Sequence, residues 1–285
     1  MIEVYPGFYG RFVCRAERCV HSCCRGWEID VDEKAAARYR RIPGELGELL
    51  RRSLVRTEEG FSFRLTEEGR CPLLRPDGLC RMILERGEDE LCDICALHPR
   101  FYGECGEYEL CGLGLSCEAV CALLLESEEP LRFVTEDGRS GVFRDLLAWL
   151  GISCEEAQLR YKPEFTQARC AEILDRLAGT EPIDGEWTEE LRQLRACTAD
   201  LAENAAEYAA VCPKGRYRRI YEAILFRQLE RAGESPFSDL AAFARLGTDY
   251  VFMLDALLGA DGEHLRRWSE QIEYSEENTE LLLRR

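Results

Sequence analysis

The stretch Cys14-Arg15-Ala16-Glu17-Arg18-Cys19-Val20-His21-Ser22-Cys23-Cys24-Arg25-Gly26-Trp27 sets four thiols close together near the start of the chain. Thiolates this near one another converge on one metal centre only if the backbone wraps around it, and the adjacent Cys23 and Cys24 do not easily point both sulfurs at one small ion, which leaves a second centre or a cluster edge open for one of them. More thiols follow in Cys71-Pro72-Leu73-Leu74, Gly78-Leu79-Cys80, Leu91-Cys92-Asp93-Ile94-Cys95 and Leu115-Ser116-Cys117-Glu118. Of 16 cysteines, only Cys154, Cys170, Cys197 and Cys212 lie beyond residue 121, so the explanation must be local to the first half. The expectation is a cysteine-ligated metal domain.

Composition agrees. With 285 residues, 46% apolar and 32% charged, the chain can build a core without cross-links, which argues against a small disulfide scaffold. Met1–Gly7 offers neither the basic region nor the apolar run of an export signal, so a reducing cytoplasmic setting is expected. No apolar run approaches the roughly 18–20 residues of a membrane span, so no membrane partner is expected. A formal net charge of −17 argues against nucleic acid, which requires a clustered basic surface. The short basic spot Arg216-Tyr217-Arg218-Arg219 reads as a solvated helix face.

Turn residues such as Pro43-Gly44, Pro76-Asp77-Gly78 and Gly103 keep elements short in the first half. Phe61–Leu65 alternates like a strand, and Tyr108–Leu110 resembles another; Asp32–Tyr39 and Glu45–Leu54 read as helices, with Asp32 as N-cap. Later, apolar residues recur every three or four positions over Val142–Leu150, Phe165–Leu177, Thr188–Val211, Arg216–Arg231, Pro236–Leu258 and Gly262–Leu283. The expected fold is mainly α: an irregular cysteine-rich metal-cluster domain with short β elements over residues 1–126, then a helical bundle over 142–285. The polar stretch Glu126–Gly141 is taken as the boundary.

Two metals suit such donors. Zinc favours pairs of the Cys-x2–4-Cys kind, which only Cys92-x2-Cys95 and, loosely, Cys19-x3-Cys23 provide. Iron–sulfur clusters tolerate scattered ligands, and the irregular spacing leans that way. A radical S-adenosylmethionine motif, Cys-x3-Cys-x2-Cys, is broken by Gly26, and Gly112-Leu113-Gly114 is a lone fragment rather than a nucleotide-binding turn.

The order Cys19-x3-Cys23-Cys24-x2-Trp27, Gly69-x-Cys71-Pro72-Leu73-Leu74, Gly78-Leu79-Cys80, Cys95-x2-His98-Pro99-Arg100 and Leu115-Ser116-Cys117 resembles the flagellin lysine-N-methylase family. The run from Trp268 through Tyr274 to Asn278 resembles that family's terminal helix. The resemblance implies methyl transfer from S-adenosylmethionine to lysine amines of flagellin or another lysine-bearing protein, with an oxygen-sensitive [4Fe–4S] cluster. The matching metal-ligand cysteines are Cys14, Cys19, Cys23, Cys24, Cys71, Cys80, Cys95 and Cys117, leaving Cys92, Cys105, Cys111 and Cys121 as extras.

Lysine must be neutral to attack a methyl group, so a base or a desolvating site is required. His98 and carboxylates, with Glu28 and Asp30 as a possible acidic lip, are the candidates; no catalytic residue is assigned. Among cofactor-binding candidates, Arg100 has three open roles: contacting the donor's carboxylate, offsetting thiolate charge, or capping a helix. Trp27 either stacks on the donor or shields the cluster from water. The four late cysteines read as small core residues. Two other functions stay open: a noncatalytic zinc- or iron–sulfur-binding adaptor, and a thiol redox sensor acting through Cys92 and Cys95.

Overall fold

The computed structural model describes residues 1–58 and 60–284. Thirteen α-helices and eight strands among them make the chain mainly α. In chain order the strands are β1 (Ile2–Pro6), β2 (Asp30–Val31), β3 (Leu54–Arg56), β4 (Phe61–Phe63), β5 (Arg100–Cys105), β6 (Tyr108–Leu113), β7 (Arg132–Thr135) and β8 (Ser140–Val142). The chain folds as two compact units: residues 13–99, and residues 1–12 together with the chain from Arg100 onward.

In the 13–99 unit, β4 lies between β2 and β3, antiparallel to both. Its alternation is the expected one: Phe61 and Phe63 are buried on either side of Ser62. Asp32 caps the helix Glu33–Tyr39 as anticipated, its Oδ1 accepting the Ala35 N–H at 2.8 Å. The helix Gly44–Ser53 turns Leu46 and Leu50 inward. These residues pack with Val31, Tyr39, Phe61 and Met82 into one small core that also takes in Cys71 and Cys92.

The other unit centres its sheet on β1, in the order β5-β6-β1-β7-β8. β1 runs parallel to β6 and antiparallel to β7, and hairpins join β5 to β6 and β7 to β8. Of this sheet the sequence showed only Tyr108–Leu110. The polar turn Glu136-Asp137-Gly138-Arg139 masks the β7–β8 hairpin, in which Phe133 and Thr135 are buried. The compact units therefore meet at 12/13 and 99/100, whereas composition placed a boundary within 126–142.

The helices largely follow the apolar spacing. Phe237–Leu258 is buried on almost every side and forms the centre of the bundle, with Gly247 lying where a methyl group would overlap the Trp268 indole. Two expected helices are each broken in two. Cys197 leaves helical geometry (φ −121°, ψ 32°) between Gly185–Ala196 and Thr198–Val211. Ser275, accepting the Asn278 N–H, starts Glu276–Leu283 after Glu263–Ile272 has ended.

The basic spot departs from expectation: Arg219 is buried, donating to the carbonyls of Leu124 and Glu129 at 2.6 and 2.8 Å, and Tyr217 is also buried. Helix charge patterns do not show which side faces the core when the inward cation is satisfied by loop carbonyls. No helix among the described residues is long and apolar enough to cross a membrane.

Glu222, on the helix Lys214–Gln228, is buried and accepts the Leu131 N–H at 3.2 Å. Burial pushes its carboxyl up to about 7 from an ordinary 4.5, despite the opposing pull of Arg218 and Arg219. Since the fold favours the protonated form, this contribution is fully present below about 4.5 and is lost as pH rises through about 7. Glu222→Gln keeps a carbonyl acceptor and should flatten that loss, gaining on the order of 1–3 kcal/mol over the native chain at pH 8 in urea unfolding. Equal stabilities of the two chains at pH 5 and pH 8 would contradict it.

Candidate functional site

In the 13–99 unit, backbone pairing brings distant thiols to one place. The Cys71 N–H donates to the Cys24 carbonyl and the Gly26 N–H to the Gly69 carbonyl, each at 2.8 Å. This short pairing requires left-handed turns at Gly26 and Gly69 (φ +74° and +67°). Beyond it, Leu74 bridges to Cys80, and the Arg81 N–H donates to the Leu73 carbonyl at 2.8 Å. Cys80 is the N-cap of the helix Arg81–Arg86 and Cys92 that of Asp93–Leu97, which carries Cys95. Asp32 ties this last helix down, because its Oδ2 accepts the Asp93 N–H at 3.0 Å.

The result is a nest of five thiols: Cys24, Cys71, Cys80, Cys92 and Cys95. Cys71 and Cys92 are buried and the other three half-buried against the same core. Backbone amides face several sulfurs: those of Leu73 and Leu74 at Cys71, and those of Met82 and Ile83 at Cys80. Such amides stabilise thiolates. A hydrogen bond with Cys23 draws Cys24 down to about 7, and one with Cys95 does the same for Cys92. In return, the Cys92 bond, then burial, raises Cys95 far above the ordinary thiol value. Burial raises Cys71 to about 12 and also raises Cys80, with neighbouring thiols adding to both.

Five thiols crowded in an apolar setting cannot all ionise unaided, and a metal cation among them would invert that balance. As placed, no three His, Cys, Asp or Glu side chains among the described residues are set to hold a metal ion. The nest gathers donors without presetting a coordination shell. Its donors are sulfur alone, which fits a soft thiolate-bound centre.

Other candidates are placed differently. Cys14 is exposed, its sulfur accepting the Ala16 N–H, and Cys19 is half-buried. Cys117 lies in the other unit at the N-cap of the helix Glu118–Leu125. Trp27 is half-buried, while Glu28 and Asp30 are exposed. Burial pushes His98 down to about 4, leaving a neutral imidazole and a weak base. Arg100 has its guanidinium over the rings of Tyr9 and Phe12, at 6.0 and 5.3 Å. Of the late cysteines, Cys170 and Cys212 are buried and Cys154 and Cys197 half-buried. Cys92, set aside in the sequence as an extra, belongs to the nest; the Cys92-x2-Cys95 spacing was the signal.

Removing the Asp32 carboxylate frees two amides at once, those of Ala35 and Asp93. Asp32→Ala should therefore destabilise the protein by about 1–2 kcal/mol in denaturant unfolding and speed alkylation of Cys92 and Cys95 in metal-free protein. Unaltered stability together with unaltered labelling would show that the cap does not anchor the helix.

No family model and no solved structure matches the chain. A lysine-N-methylase of Salmonella typhimurium is 27% identical over 134 residues, which is 44% of this chain and 33% of that protein. The flagellar biosynthetic protein FliU of Salmonella muenchen is 26% identical over 134 residues, 44% of this chain and 78% of its own. The match to the first of these spans about a third of that relative's length, and a lysine-N-methylase of Salmonella choleraesuis gives the same coverage at 26% identity. The chain is thus distantly related to proteins named lysine-N-methylase.

Proposed function

We propose that the chain is an S-adenosylmethionine-dependent protein lysine N-methyltransferase acting on flagellin or a similar lysine-bearing protein, and that its thiol nest ligates a [4Fe–4S] cluster. The observation that carries this is the convergence of Cys24, Cys71, Cys80, Cys92 and Cys95 in a chain distantly related to lysine-N-methylases. When bound, the donor supplies an electrophilic methyl carbon. The chain's own task is to receive a lysine side chain and strip its ammonium of a proton and of water, because only the free amine has a lone pair to offer. A net charge of −17 favours the approach of a lysine-bearing partner.

The hydrogen-bonded Cys92–Cys95 pair at a helix start supports a second reading, a dithiol switch or a zinc-stabilised adaptor. Metal content decides. Protein purified without oxygen is expected to hold iron and acid-labile sulfide, with broad absorption in the blue, and to methylate flagellin lysines. Cys71→Ala and Cys92→Ala should each lose iron and sulfide, whereas Cys170→Ala, in the core of the other unit, should keep both. Zinc alone in colourless protein from iron-replete cells would replace the cluster reading with the second one.

A further inference from the structure

Within the unit built on β1 and β5–β8, three segments far apart in sequence meet around Gly114. The turn after β6 brings Gly114 and Ser116, the helix Lys214–Gln228 brings Arg227, and the end of the helix Glu263–Ile272 brings Glu273 and Tyr274. A methyl group on Gly114 would collide with the Tyr274 hydroxyl and stand 3.3 Å from Arg227 Nη1, so a side chain here would drive the segments apart.

Arg227 is held between two rings, 4.9 Å from the centre of Phe101 and 4.6 Å from that of Tyr274. Its Nη2 donates to the Glu273 carbonyl at 3.0 Å, while its buried Nη1 has no hydrogen-bond partner among the described residues. Glu273 is only 6% exposed, and its Oε2 accepts the Ser269 hydroxyl at 2.6 Å. Among the described residues its Oε1 is buried without a partner, and so is the hydroxyl of Ser116, two positions along the chain from Gly114 and 8% exposed.

Arg227 and Glu273 could satisfy each other as an ion pair, yet ring stacking fixes one and Ser269 turns the other back along its helix. Buried donors and acceptors are seldom left unmade, since each forfeits its hydration for nothing. The unsatisfied set here is a guanidinium donor, a carboxyl oxygen and a hydroxyl. That set is complementary to a group carrying a carboxylate and an ammonium together.

We infer that Arg227, Glu273 and Ser116 receive the α-amino-carboxylate end of an amino-acid-type ligand, the methionyl moiety of the methyl donor. Arg227 would bind its carboxylate, Glu273 its ammonium, and Ser116 either. The identity of the ligand rests on the methyl-transfer reading. The site itself rests on the three unpartnered groups.

The test compares two probes on protein purified without oxygen: S-adenosylhomocysteine, which has the amino-carboxylate, and 5′-methylthioadenosine, which lacks it. The native chain is expected to bind the first at least about tenfold more tightly, the scale of one charge-assisted hydrogen bond. Arg227→Met and Glu273→Gln should each remove that advantage while leaving methylthioadenosine binding within about twofold. Ser116→Ala deletes a hydroxyl that has no partner among the described residues, so it should weaken S-adenosylhomocysteine about threefold without lowering the melting temperature, which keeps the site testable should a charged-residue variant fail to fold. Undiminished binding in Ser116→Ala and in the folded charge variants would overturn the site and assign the buried groups to ordered water. A native chain that binds neither probe would overturn the methyl-transfer reading and the site with it.

Discussion

Crowding of thiols is the constraint on which the 13–99 unit depends. Its core is small, and part of the space a larger domain would give to leucine or phenylalanine is taken by Cys71 and Cys92. Sulfur packs well as a weak hydrophobe, but as a thiolate it needs compensation. The fold supplies some through turn amides at Cys71 and Cys80 and through the Cys92–Cys95 bond. A cation would supply the rest. On the proposed reading, stability and metal loading in this unit would be two views of one equilibrium.

The β1-centred unit works on another principle. Its centre is the helix Phe237–Leu258, so thoroughly buried that its polar residues must be answered from neighbouring elements. Asp255 takes the Tyr217 hydroxyl and the His264 ring nitrogen at 2.7 and 2.8 Å, and Asp249 takes Arg169 and the Tyr161 hydroxyl at 2.8 and 3.0 Å. These bonds fix how the helices are rotated against one another, which apolar packing alone leaves loosely specified. For Arg227, Glu273 and Ser116 the open valences have no such answer among the described residues.

Sequence spacing revealed the helices because their apolar stripes repeat over several turns, as in Phe237–Leu258, and it revealed Asp32 because a cap is a local device. It revealed the thiols by type but not by neighbourhood. The Cys24–Cys71 pairing depends on a backbone hydrogen bond between residues far apart, and no local pattern encodes that. The five-stranded sheet was nearly invisible for a related reason: its strands are short and β1 finds its partners only through long connections. The polar cluster at Gly114 draws on three segments, each ordinary in isolation.

The place of β1 in that sheet bears on how the protein is made. Ile2 pairs with Tyr108 and Val4 with both Leu110 and Thr135, so the strand of this sheet that leads in sequence is its middle member, and the others come much later. During translation its edges stay unpaired, while residues 13–99 emerge as a compact unit of their own. Collapse of that intervening unit shortens the loop that must close before β1 can be flanked. Folding of the thiol-rich unit would then influence assembly of a sheet that contains none of the five thiols in the nest.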